Sequence, residues 1–142
     1  MTIQKTGSAR YEGLGKDGKG HVGSQSGALD HPYGFNTRFE DGSGTNPEEL
    51  IGASHAACFS MALSMILGQS DLTADNIDTK ATVSLEQKDG GFTVTKSALH
   101  CKGKIGGIDK AKFEEIAADA KENCPISRLL NCEITLETTF EG

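Results

Sequence analysis

Tryptophan is absent from the sequence, tyrosine occurs twice and proline three times. Little is therefore left for an aromatic stacking platform or a proline-rich ligand segment. Positive charge is also short, with 14 Lys and Arg against 20 Asp and Glu, a formal net charge of −6. Neutralising phosphates needs a basic face, so nucleic acid is not expected as a partner. Four cysteines are present, yet no two form a Cys-x-x-Cys pair, which removes zinc ribbons and thioredoxin-type dithiols at the level of local motif. The opening residues MTIQKTGSAR carry no apolar run behind a positive patch, so no secretory signal is expected there. Thiols without such a signal point to a reducing, cytoplasmic setting, where they do chemistry or sit inert in a core.

What is present suits a globular chain. Its 142 residues and 15.0 kDa fit one domain, 1–142, large enough to bury a core without staples. One stretch invites a different reading, because Leu50 to Ser70 contains no Asp, Glu, Lys or Arg and is long enough to cross a bilayer. However, His55, Gln69 and several Ser and Gly interrupt it, and Glu48 and Glu49 flank it where an anchor would carry Lys or Arg. A buried helix of a soluble protein is the better reading, with no membrane partner.

Short strands are expected around Gly7–Tyr11 and Gly20–Ala28 on either side of a Gly-, Lys- and Asp-rich turn. Residues 29–46 read as a long irregular stretch holding Phe35, Arg38 and Phe39, and loops of this length are often functional. Asn46 as cap, Pro47 at the first helical position and Glu49 in a capping box start a helix that Gly68 closes. It is apolar nearly all round and so is expected at the centre of the molecule. Gly52, Ala56, Ser60 and Ser64 line it at every fourth position, allowing another backbone to approach, from this chain or a second copy. Strands Ile77–Glu86 and Phe92–Lys102 follow, joined at Lys88-Asp89-Gly90-Gly91 in a hairpin. A second helix, Asp109–Asn123, places Phe113, Ile116, Ala117, Ala120 and Cys124 on one stripe. Pro125 stops it and opens a short helix through Leu130, before a last strand at Cys132–Phe140. The order predicts an α+β fold with antiparallel sheet.

Two thiols stand out for chemistry. Cys58 lies mid-helix, either as a small core hydrophobe or as a thiolate assisted by His55 one turn away. Cys124 would cap the short helix, facing free backbone N–H groups and a positive helix end that favour a thiolate, or would simply complete the buried stripe. Cys101 and Cys132 are expected in strands with no evident charge partner and read as inert. Arg38 lies between aromatic residues, and Glu48 is already explained by the helix dipole. A zinc-binding alternative would use His55 and Cys58 with His21, His31 or Cys124, but nothing fixes the remaining ligands.

The stretch YGFNTRFEDGSGTNPEELIGASHAACFSMALS, Tyr33–Ser64, together with Glu-Asn-Cys-Pro-Ile-Ser at Glu122–Ser127, resembles the osmotically inducible protein C and organic hydroperoxide resistance family (OsmC/Ohr), most closely its OsmC branch. That resemblance implies an intertwined homodimer with antiparallel sheets wrapped around long central helices. It implies a peroxidase that reduces organic hydroperoxides, and hydrogen peroxide more weakly, using a dithiol reductant such as a lipoylated protein and no cofactor. By the same resemblance Cys58 is the peroxidatic thiol, Cys124 the resolving thiol, and Arg38 and Glu48 the charged pair that activates Cys58. Helix geometry adds that Glu48 and Cys58, ten residues apart, lie about 15 Å apart along one axis, so a symmetric dimer would have to complete each site. A stress-induced structural or binding protein is the non-catalytic alternative.

Overall fold

A computed structural model describes residues 1–40 and 42–142 of the chain; Asp41, within the stretch read as irregular, lies outside the described residues. The described residues fall into two units, Met1–Leu50 and Ile51–Gly142, each with its own three-stranded sheet.

The first unit pairs β1 (Gly7–Glu12), β2 (Lys19–Ser24) and β3 (Asp30–Tyr33) in that spatial order, all antiparallel. Gly20 lets the Tyr11 and Tyr33 rings close over β2 with centroids 5.9 Å apart, because a Cβ there would stand 2.5 Å from the Tyr33 ring. β2 stops at Ser24, short of the expected Ala28, where the Gly27 N–H turns back to the Ser24 carbonyl at 3.0 Å. β3 and the single-turn helix α1 (Phe35–Arg38) occupy part of the stretch expected to be irregular. Pro32 masked that strand in the sequence, and β3 tolerates it because it is an edge strand.

The second unit holds the apolar core. Helix α2 (Pro47–Gln69) begins in the first unit and continues through the second. After it come β4 (Asn76–Lys88), β5 (Gly91–Lys104), α3 (Lys110–Asn123), α4 (Pro125–Leu129) and β6 (Glu133–Glu141). The β4–β5 hairpin turns where expected, with Asp89 at φ 51° and Gly90 at φ 83°, the left-handed conformations that a tight hairpin needs. β6 pairs with β5 in parallel, which departs from the expected all-antiparallel sheet. The α3–α4 crossover supplies the reversal that a hairpin cannot.

Phe113, Ile116, Ala117 and Ala120 of α3, with Cys124, form the predicted stripe and are buried against Phe59, Leu63 and Leu67 of α2 and Leu99 and Cys101 of β5. Gly103 gives Phe113 room, since a Cβ would meet its ring at 2.6 Å, and Phe113 in turn packs on Phe140 at 5.3 Å. α2 is not enclosed all round. Gly52, His55, Phe59, Leu63 and Leu67 are buried, whereas Met61 and Met65 on another face are each 69% exposed. The small-residue stripe is spent at two positions on this chain's own sheet. A Cβ on Gly52 would lie 2.9 Å from the Ala81 carbonyl oxygen, and Ser60 donates to Thr79 Oγ1 at 2.7 Å.

Candidate active site

The start of α2 fixes a charged pair. Asn46 Oδ1 accepts the Glu49 N–H at 2.8 Å as the expected cap, while its Nδ2 donates to the Thr37 carbonyl of α1 at 2.8 Å. The Glu49 carboxylate accepts from Thr45 Oγ1 at 3.0 Å, in place of the capping-box bond to the Asn46 backbone. Arg38 at the end of α1 meets Glu48 in the first turn of α2 fork to fork, Nε to Oε1 and Nη2 to Oε2, the latter at 3.1 Å. Both side chains are largely shielded, with 30% and 12% exposure. The Arg38 guanidinium also lies 5.8 Å from the centroid of the Phe39 ring. Two-point pairing of this kind fixes the orientation of the guanidinium as well as its position.

The thiols form a second cluster, inside the second unit. Cys124 ends α3 and caps α4: its Sγ accepts the Ser127 N–H at 3.3 Å and lies 3.2 Å from Ser127 Oγ. This is the cap expected from Cys-Pro at that position. Cys58 of α2 lies beside Cys124 and near the backbone N–H of Ile126. Burial pushes the Cys58 thiol above its ordinary pKa; the Ile126 N–H acts in the opposite direction, and the adjoining Cys124 adds to the rise. Beside the pair runs a groove of about 620 Å³ lined by Ala57, Cys58, Met61, Ala62, Met65 and Ile126 among others. Its lining is almost wholly apolar, which suits an alkyl chain better than a small polar molecule.

Behind the thiols, His55 is fully buried, with Nδ1 2.6 Å from Ser97 Oγ of β5 and Nε2 2.8 Å from Ser127 Oγ of α4. Burial lowers its pKa. Because both ring nitrogens are engaged by hydroxyls, the zinc reading loses its first ligand. Among the described residues no three His, Cys, Asp or Glu side chains gather where an ion could be held.

The structure therefore brings Arg38 to Glu48 and Cys58 to Cys124, with the first pair in the first unit and the second pair in the second. Cys101 is buried in β5, where burial foremost raises its pKa, and all four thiols are free. Ser97 and Ser127 were not singled out by sequence reasoning. Ser127 closes the Glu122–Ser127 motif, and its place three residues after a capping Cys124 is the spacing of a capped N–H.

Comparison with known proteins follows the same lines. The pattern of the OsmC-like protein family matches residues 40–139. Peroxiredoxin OsmC of Escherichia coli strain K12 is 56% identical over 138 residues, 96% of each chain. The organic hydroperoxide resistance protein OhrB of Bacillus subtilis strain 168 is 31% identical over 122 residues, 83% of this chain and 88% of its own. The crystal structure of OhrB of Bacillus subtilis superimposes with a TM-score of 0.72, covering 98% of both chains at 27% identity. An OsmC-like protein from Mycoplasma pneumoniae shares the fold, with a TM-score of 0.79 and full coverage of both chains at 16% identity.

Proposed function

This chain belongs to the OsmC-like protein family, and from that premise we propose that it reduces organic hydroperoxides to alcohols with Cys58 as nucleophile and Cys124 as resolving thiol. The observation that carries the reading is that Cys58 lines an apolar groove with the buried Cys124 beside it. A Cys58 thiolate attacks the distal peroxide oxygen, the O–O bond breaks, and the alkoxide leaves as an alcohol after taking a proton. Cys58 is left as a sulfenic acid, and Cys124 condenses with it to a disulfide before further oxidation can occur. An external dithiol, such as a lipoylated protein, then returns both thiols to the reduced state.

Burial alone makes the Cys58 thiolate costly. The Arg38–Glu48 pair is suited to offset that cost, because a guanidinium stays charged and Glu48 keeps its fork oriented. We assign the working form to a homodimer in which one chain's Arg38–Glu48 pair serves its partner's Cys58, acting in a reducing compartment where free thiols persist.

The test is stoichiometric. One equivalent of tert-butyl hydroperoxide should create an intramolecular Cys58–Cys124 disulfide, read by peptide mapping. Cys58→Ser should abolish turnover, and Cys124→Ser should consume about one equivalent, one per nucleophilic thiol, before stalling. Oxidation that leaves Cys58 untouched, or joins it to Cys101 or Cys132, would refute the assignment.

A further inference from the structure

The mechanism proposed above makes no use of the buried Ser97–His55–Ser127 chain. Its three members come from β5, α2 and α4, and it ends 3.2 Å from the sulfur of Cys124. A buried imidazole between two hydroxyls is expensive in a core where an apolar side chain would fill the space, so its partners need a reason. Here the outer hydroxyl does not end the chain. Ser127 presents both its Oγ and its backbone N–H to Cys124 Sγ.

We infer that Ser127 and His55 relay the proton of Cys124 when this thiol attacks the Cys58 sulfenic acid, with Ser97 fixing the imidazole from behind. The inference rests on the thiol mechanism above and concerns only its second step. The Cys124 S–H proton passes to Ser127 Oγ as the Ser127 O–H proton passes to His55 Nε2. The Cys124 sulfur forms the S–S bond and the Cys58 S–O bond breaks. The departing hydroxide takes a proton from water, and the imidazolium later gives its proton back to solvent, so the net product is one water. Cys124 sulfur is oxidised and Cys58 sulfur reduced by the same electron pair.

The neutral ring suits this role, since burial disfavours the imidazolium at rest and leaves one nitrogen as an acceptor. If Nε2 is the acceptor, hydrogen bonds run from Cys124 through Ser127 to His55 and the relay is primed. If Nε2 carries the hydrogen, Ser127 donates its hydroxyl to Cys124 Sγ beside its own N–H. The first orientation gives the Cys124 proton a path toward the imidazole, and the second places both Ser127 donors on the Cys124 sulfur.

His55 acts through Ser127 and is a positioning residue, so the test must separate the two chemical steps. In single-turnover experiments with tert-butyl hydroperoxide, oxidation of Cys58 is followed by loss of free thiol, and resolution by the decay of dimedone-trappable sulfenic acid. Ser127→Ala and His55→Gln should slow resolution by about 10- to 100-fold while Cys58 oxidation proceeds, a loss within the usual range for proton transfer. Glutamine keeps a hydrogen bond to Ser127 but accepts no proton, which separates relay from packing. Ser127→Thr retains the hydroxyl and should restore most of the rate. Continued oxidation of Cys58 also reports that each variant is folded. Resolution at the wild-type rate in either His55→Gln or Ser127→Ala overturns the relay, as does equal slowing of both steps. Absence of Cys58 oxidation in the wild-type protein would instead overturn the peroxidase reading itself.

Discussion

Replacing Met61 with aspartate probes the proposed dimer at the face of α2 that this chain leaves uncovered. Met61 is 69% exposed and lies one turn beyond Cys58, on a different face from Phe59, Leu63 and Leu67. Burying a methionine side chain completely is worth about 1.5–3 kcal/mol, so covering its exposed portion contributes about 1–2 kcal/mol. A two-fold seam presents each residue twice, so the substitution should cost about 2–4 kcal/mol, before the two new carboxylates lose any water. At about 1.4 kcal/mol per factor of ten, the dimer dissociation constant should rise by roughly 30- to 1,000-fold. Sedimentation velocity over a dilution series measures this directly, and far-UV circular dichroism should show the helices retained, because the buried stripe of α2 is untouched. Peroxidase activity should fall along the same dilution curve as the dimer. A Met61→Asp protein that dimerises as tightly as the wild type would show that this helix face is not the seam.

Two further outcomes follow from the same unit. Burial holds the folded-state pKa of His55 below the 6.5 of the unfolded chain, so its contribution to stability is full above pH 6.5 and is lost as pH falls from there toward the folded value. The slope can reach about 1.4 kcal/mol per pH unit, and urea unfolding at about pH 7.5 and about pH 5.5 should show a smaller loss for His55→Gln than for the wild type; equal losses would contradict the assignment. Gly52→Ala gains about 1 kcal/mol of helix propensity but overpacks the Ala81 carbonyl at a cost of about 1–3 kcal/mol, and should be neutral to destabilising. Gly68→Ala meets no atom within 4 Å and should raise Tm by up to about 2–4 °C, so thermal scans that rank the two variants the other way would refute the packing argument.

The sequence disclosed most where one physical signal acted alone. α3 has a single apolar stripe and a polar remainder, and all five residues assigned to that stripe are buried. Cys124-Pro125 announced both the end of α3 and the cap of α4, and Asp89-Gly90 announced the hairpin. Less was visible where signals conflicted. α2 is apolar on several faces, so periodicity did not show that Gly52 and Ser60 meet β4 while Met61 and Met65 stay open. Alternation marked β6 as a strand but carries no direction, which hid its parallel pairing. The thiols and the charged pair were named from motifs. The chain through His55 was not, because its partners lie 42 and 72 residues away and hydroxyl pairing leaves no trace in local sequence.

Asn46 shows how narrow a common position can become. Serine, threonine, aspartate and asparagine are broadly interchangeable as helix caps, because each offers an oxygen to a free N–H. At this position the side chain must also donate, since its Nδ2 holds the Thr37 carbonyl beside Arg38 while its Oδ1 holds the first turn beside Glu48. Aspartate would keep the cap and turn a carboxylate oxygen toward a carbonyl; serine would be too short to span both groups. The usual degeneracy of the cap is thus lost, and one amide bridges the two backbone segments that carry the ion pair.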